Sequence, residues 1–195
     1  MFGGSGDDIL EGGKTNTYGV DMDGGEGDDI MFGSLASDDM FGGSGNDYLN
    51  GREGDDEIDG GAGDDIIKGG TFLNDSAGTD VLRGGEGNDL IISGFYGREE
   101  IMYGYGEFKY LYGDEGDDIM YGGYGTANEF IWGGEGDDII YGGDTIKTRQ
   151  ILNGNEGDDI IFPGSGVSGT TTVNGGKGDD QINPWVLTYD LMDDV

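Results

Sequence analysis

Nine aspartates recur in one local setting along the chain: Asp8, Asp29, Asp47, Asp65, Asp89, Asp118, Asp138, Asp159 and Asp180. Each is the sixth residue of a nine-residue phrase, shown in full by Gly42-Gly43-Ser44-Gly45-Asn46-Asp47-Tyr48-Leu49-Asn50. The phrase also starts at Gly3, Gly24, Gly60, Gly84, Gly133 and Gly175, with altered copies at Gly113 and Gly154. Its glycines permit backbone angles that other residues avoid, so carbonyl oxygens can converge on one point. Two such turns stacked on each other bring two carboxylates and several carbonyls together. Without a cation the like charges force one carboxyl to keep its proton, or the stack to open. A hard cation wanting six to eight oxygens fits the arrangement, and calcium fits it better than the stricter magnesium.

Other chemistries fit less well. Paired carboxylates such as Asp7 and Asp8 could serve glycoside hydrolysis, but the pair recurs in most copies, and enzymes do not repeat an active site along a chain. The absence of histidine and cysteine removes imidazole and thiolate ligands, the usual general base and disulfides. No catalysis is expected. With 42 acidic against nine basic residues, a formal charge of −33, the chain should repel nucleic acid and anionic lipid. No apolar run approaches the roughly 18 residues of a membrane span, and no secretion signal is recognisable at the start. Forty-six glycines argue against long helices, since each costs about 1 kcal/mol relative to alanine in a helix interior.

The elements that must position the aspartates follow from the period. Six residues make a glycine-rich turn and three make a short strand, whose side chains alternate between faces. The eighth positions are Leu10, Met31, Leu49, Ile67, Ile91, Met120, Ile140, Ile161 and Ile182, which marks them as a buried column. Between the strict copies lie looser turns, at 12–23, 33–41, 51–59, 69–83, 93–112, 122–132, 142–153 and 163–174. Their apolar residues Met40, Ile58, Leu82, Ile131, Leu152 and Val173 supply a facing column. The fold class is therefore all-β: a parallel β-roll or β-helix solenoid of about nine coils, forming a rod of about 40 Å at strand spacing. Residues 1–183 make the roll and 184–195 a half-turn, cap or contact tail. Residues 93–112 read as one turn, with 101–103 and 108–112 pairing as a protruding hairpin. Outward strand positions such as Ile30, Phe32, Tyr121, Tyr141 and Phe162 form an apolar stripe, suited to ladder packing or to a lateral interface. Met1-Phe2-Gly3-Gly4 repeats Met40-Phe41-Gly42-Gly43, so the first strand reads as an open edge that could meet another copy.

The recurring phrase closely resembles the repeats-in-toxin (RTX) calcium-binding nonapeptide, a repeat of parallel β-helices. The resemblance covers about 3–183. It implies a protein exported unfolded and folded by extracellular calcium, with the nine sixth-position aspartates as side-chain ligands and turn carbonyls completing the shell. Nine strict turns leave about eight sites between them. The departure is the looser row, where only Gly51-Arg52-Glu53-Gly54-Asp55-Asp56 keeps most of the motif and Glu100, Glu129 and Gln150 replace aspartate. Asp56 is thus a further metal ligand, with extra sites expected around Asp38, Asp56 and Asp80. The expected function is an extracellular structural or assembly subunit, self-associating end to end or through its apolar face. The alternatives are a calcium-folding and secretion module of a larger toxin, protease or epimerase, and a carbohydrate-binding or adhesin module using aromatics such as Tyr105 and Trp132.

Overall fold

The fold is given by a computed structural model, which describes residues 1–70, 79–93, 108–122, 124–125, 128–145, 149–164 and 170–183. The nine-residue period produces two sheets that face each other. One holds β1 (Phe2–Ser5), β3 (Asp21–Glu26), β5 (Asp39–Ser44), β7 (Glu57–Ala62), β9 (Val81–Glu86), β11 (Phe108–Glu115), β14 (Asn128–Glu135), β17 (Arg149–Glu156) and β19 (Thr170–Lys177). The other holds β2 (Ile9–Glu11), β4 (Ile30–Phe32), β6 (Tyr48–Arg52), β8 (Ile66–Gly70), β10 (Leu90–Ile92), β12 (Ile119–Tyr121), β15 (Ile139–Tyr141), β18 (Ile160–Phe162) and β20 (Gln181–Ile182). β13 (Tyr124–Gly125) and β16 (Asp144–Thr145) pair separately. Neighbouring strands of both sheets run parallel, as in a β-roll. Among the described residues there is no helix long and apolar enough to cross a bilayer.

Every strict turn links a strand of the first sheet to one of the second, so all nine lie on one edge of the roll. The longest looser segment does not disturb this order. β9 pairs with β11 and β10 with β12, so among the described residues the two coils that flank this segment are adjacent in both sheets. Residues 110–112 do not protrude: Tyr110, Leu111 and Tyr112 are in register with Val81, Leu82 and Arg83 on one side and with Phe130, Ile131 and Trp132 on the other. The expected hairpin partner, 101–103, lies outside the described residues, as does the tail 184–195.

The core is two columns. Leu10, Met31, Leu49, Ile67, Ile91, Met120, Ile140 and Ile161 face Met22, Met40, Ile58, Leu82, Leu111, Ile131 and Leu152, and all are buried. Each contributes about 1.5–3 kcal/mol by leaving water, but only against its neighbours along the stack. Ile182 departs from the expected column and is 45% exposed. Its strand is the last of its sheet among the described residues, with a paired strand on one flank. Val173 is half-buried and packs against the core.

The outward apolar positions form ladders. Tyr121, Tyr141 and Phe162 stack face to face at 4.7 and 4.9 Å, and Tyr112 lies on Trp132 at 4.8 Å. The guanidinium of Arg52 sits 5.1 Å from the centre of the Phe32 ring, and that of Arg83 5.4 Å from that of Tyr112. The stack also explains why the fourth motif residue is always glycine. Gly45 has φ 125°, and a Cβ there would stand 2.2 Å from the carbonyl oxygen of Gly27 and 2.5 Å from its carbonyl carbon. Backbone cannot swing aside as a side chain can. Gly45→Ala is therefore expected to destabilise the calcium-loaded protein by more than the roughly 1–2 kcal/mol of the left-handed backbone alone. Urea unfolding would measure this, with Ser44→Ala, at an exposed site, expected to be near neutral; equal midpoints for the two variants would contradict the packing argument.

Candidate metal edge

Along the strict edge the sixth-position aspartates tie each coil to the one before it. The Asp8 N–H donates to Asp29 Oδ1, that of Asp29 to Asp47 Oδ1, and so on through Asp65, Asp89, Asp118, Asp138, Asp159 and Asp180. These eight bonds span 2.7–3.1 Å. One oxygen of each carboxylate is thereby satisfied. The other is not: Oδ2 of Asp29, Asp47, Asp65, Asp89, Asp118, Asp138 and Asp159 is buried without a hydrogen-bond partner. Asp8 and Asp180, on the first and last strict turns, are only half-buried. Buried polar atoms in folded proteins are nearly always paired, so a whole row of orphans points to a missing partner.

The surroundings of each orphan identify that partner. A Cβ placed on Gly24 would stand 2.2 Å from Asp29 Oδ2 and 2.5 Å from the carbonyl oxygen of Gly42 on the next coil. At Gly113 the corresponding oxygens, from Asp118 and Gly133, stand at 2.1 and 2.4 Å. The same cradle recurs at the first glycine of each strict turn up to Gly154. Among the described residues no three acidic side chains gather at one point; the oxygens come from one carboxylate per turn plus main-chain carbonyls. Such a donor set suits a hard divalent cation and gives nothing to a soft one.

Burial, opposed in part by the hydrogen bond from the preceding coil and reinforced by neighbouring carboxylates, raises these carboxyls when no metal is bound. Asp118 is pushed up to about 8, Asp65 and Asp138 to about 7 and Asp89 to about 6. Asp47 and Asp159 move the same way.

The fifth motif position does something different. Here the bonds run in the opposite sense: the Asp28 N–H donates to Asp7 Oδ1, that of Asn46 to Asp28 Oδ1, and that of Asp64 to Asn46 Oδ1. The series continues through Asn88, Asp117, Asp137, Asp158 and Asp179 at 2.8–3.0 Å. Only one acceptor oxygen is used and the side chains are exposed. That explains why asparagine stands at 46 and 88, whereas the sixth position is aspartate throughout.

On the looser edge the chain supplies its own donors. Asp38 Oδ2 accepts from the Ser34 N–H at 2.5 Å and Oδ1 from the Ser34 hydroxyl and the Val20 N–H. The Gly33 carbonyl, which corresponds to a cradle oxygen on the strict edge, accepts from Arg52 Nη1 at 2.8 Å, while Nη2 reaches Glu11 Oε1 at 2.9 Å. Further along, Gln150 Nε2 donates to Glu129 Oε2 and to the Gly143 carbonyl, and Ser93 Oγ donates to the Gly122 carbonyl. Asp56 keeps the strict pattern: Oδ1 accepts from the Asp38 N–H, Oδ2 is orphaned, and a Cβ on Gly51 would meet Oδ2 at 2.1 Å. Its carboxyl is raised to about 8, chiefly by burial. Asp80 continues this short ladder by accepting from the Asp56 N–H. The roles of Ser34 and Arg52 were not read from the sequence. Their one signal is that Arg52 takes the place of the second motif glycine, with φ 77°.

A pH dependence follows. These carboxyls bind protons more tightly in the folded, metal-free chain than in the unfolded one, where they titrate near 4. As pH rises from about 4 through the folded values of about 6 to 8, the unfolded state increasingly holds fewer protons than the folded one, and metal-free stability falls. In chelator, β-type circular dichroism should be stronger at pH 5 than at pH 8, while calcium affinity rises over the same interval. Metal-free structure that strengthens with pH would contradict this.

A family model for the RTX calcium-binding nonapeptide repeat matches residues 1–16, 21–40, 41–72, 69–95, 110–126, 124–145, 151–168 and 165–183. No curated protein matched the chain.

Proposed function

The chain belongs to the RTX calcium-binding nonapeptide repeat family, and from that footing we propose that it is an extracellular, non-catalytic structural subunit whose fold is completed by calcium along its strict edge. The observation that carries this reading is the row of buried, unpaired Oδ2 atoms on seven successive strict turns. The ligands are the sixth-position aspartates from Asp8 to Asp180 with the first-glycine carbonyls, giving about eight ions between nine turns, and Asp56 provides a further position on the opposite edge. Calcium supplies positive charge where the carboxylates would otherwise repel, at affinities expected for extracellular modules, roughly 0.1–1 mM. Family members are typically secreted, which agrees with a trigger that is abundant only outside the cell.

The structural role draws support from the sheet order. Among the described residues, β1 and β2 at one side, and β19 and β20 at the other, each have a neighbouring strand on one flank only. Phe2 is 86% exposed and Ile9 75%, so the first described coil offers apolar surface. A glycan platform is less well supported. Trp132 has one face against Tyr112, and the far face of Tyr112 is covered by Arg83. Both faces of Tyr112 and one face of Trp132 are therefore engaged within the ladder, and Tyr105 lies outside the described residues.

Calcium titration followed by circular dichroism tests the reading. The chain should be largely unstructured in chelator at neutral pH and gain β signal cooperatively as calcium is added. A paired substitution adds resolution. Asp65→Asn keeps the hydrogen bond to the Asp47 N–H but replaces the orphaned oxygen, and should raise the calcium midpoint at least threefold. Asp64→Asn, one residue earlier, should leave it within experimental error. A folded state indifferent to calcium, or equal effects of the two variants, would overturn the proposal.

A further inference from the structure

The outer faces of the two sheets differ in chemistry. On the second sheet, the seven inner strands β4, β6, β8, β10, β12, β15 and β18 each turn two side chains outward, from Ile30 and Phe32 to Ile160 and Phe162. Of these fourteen positions only Asn50 and Lys68 are neither aliphatic nor aromatic. Lys68, the single charge, lies 5.0 Å from the centre of the Tyr48 ring. On the first sheet the outward positions of β3, β5 and β7 carry Asp21, Asp23, Asp39, Glu57 and Asp59, with Phe41 the one apolar residue among them. A chain of formal charge −33 thus keeps one long face almost free of charge. Ile30, Ile66 and Ile119 are 39%, 38% and 37% exposed, since the neighbours along the ladder cover their flanks and leave the tips. With large apolar side chains carrying about 150–250 Å² each, tips at or below this exposure over seven coils offer about 600 Å². That is the upper size of the patches monomers leave open, roughly 300–600 Å², and two such faces reach the roughly 1,200 Å² at which specific interfaces begin.

The period of the stripe identifies its partner. Tyr121, Tyr141 and Phe162 follow one another at 4.7 and 4.9 Å, and the aliphatic column beside them keeps the same register from Ile30 to Ile160. A partner that meets this surface along its whole length, about 34 Å at strand spacing, must repeat at the same interval. A second roll does so, with its tips falling between those of the first as in the dry interface of paired sheets. An irregular surface would touch the stripe only in places. We propose that two copies of this chain pack through the outer faces of their second sheets, about 10 Å apart. The same patch serves on both copies, so the contact is isologous and closes at a two-fold dimer. The inference rests on the structural-subunit reading above and names its partner and the surface that meets it. Calcium enters only through folding, because none of the stripe residues is a ligand.

Sedimentation velocity on the 195-residue chain tests this, with circular dichroism on the same samples to report folding. In millimolar calcium the sedimentation coefficient should rise with protein concentration and level off at the dimer. Ile119→Lys puts a charge in the middle of the stripe, at a side chain exposed enough for the ammonium to reach water in the monomer. It should keep the calcium-induced β signal and associate at least tenfold more weakly. Ile66→Thr combined with Ile119→Thr keeps the β-branched shape that suits a strand and should weaken association in the same direction, so the test survives if the lysine variant fails to fold. Phe41→Lys is the control: Phe41 is 45% exposed on the outer face of the other sheet, and its replacement should leave the dimer unchanged. Wild-type chains that fold with calcium but stay monomeric would overturn the contact and leave the stripe to a partner other than a second copy. Growth beyond the dimer, or equal weakening by Phe41→Lys and Ile119→Lys, would also overturn it. Failure of the calcium-induced signal in wild type would instead overturn the reading beneath it.

Discussion

Everything in this protein depends on stacking carboxylates at strand spacing. A parallel strand repeats at about 4.8 Å, and the strict edge places one buried aspartate at every repeat. The hydrogen bond from the preceding coil satisfies one oxygen and fixes the side chain, which leaves the second oxygen no freedom to turn to water. Each core residue contributes about 1.5–3 kcal/mol, and the penalty for a buried, uncompensated charge is of several kcal/mol. The two are comparable on every coil. The apolar columns alone therefore give the roll little net drive to form, and in the proposed reading a cation on the strict edge offsets that penalty.

The two edges solve the same geometric problem with different chemistry. On the strict edge, oxygens converge and the chain supplies no donor to the buried Oδ2 atoms. On the looser edge, Ser34, Arg52, Ser93 and Gln150 supply N–H and O–H groups to the carboxylate and carbonyl oxygens of Asp38, Gly33, Gly122 and Gly143. Donors built into side chains free the backbone from the nine-residue turn, and this edge is where the long segments are inserted. Asp56 is the point at which the two solutions meet: it sits within a motif copy, retains the orphaned oxygen, and adjoins Asp38, whose own oxygens are satisfied internally.

Much of this was legible in the sequence because solenoid geometry converts period directly into position. Asp47 and Leu49, two residues apart in a strand-and-turn repeat, had to lie in the strict turn and in the core, and they do. What the repeat could not convey was contact across coils at non-repeating positions. Arg52 reads as a flaw in a glycine motif; only the fold brings it to Gly33 and to Glu11, 41 residues away. Ile182 fits the motif but is left 45% exposed in the last described coil, since burial in a stack belongs to the coil pair and not to the residue. The ladder through the fifth position was also hidden, although its tolerance of asparagine at 46 and 88 was in plain view.

The central claim is that cations occupy one edge of the roll in a continuous row. Anomalous diffraction from crystals grown in calcium tests it most directly. The account predicts a line of peaks on the strict edge, one between each pair of successive turns and each beside an aspartate Oδ2, with an isolated peak near Asp56 across the roll. Equal rows on both edges, or a fully folded roll with no peak beside Asp65, Asp89 or Asp118, would contradict it.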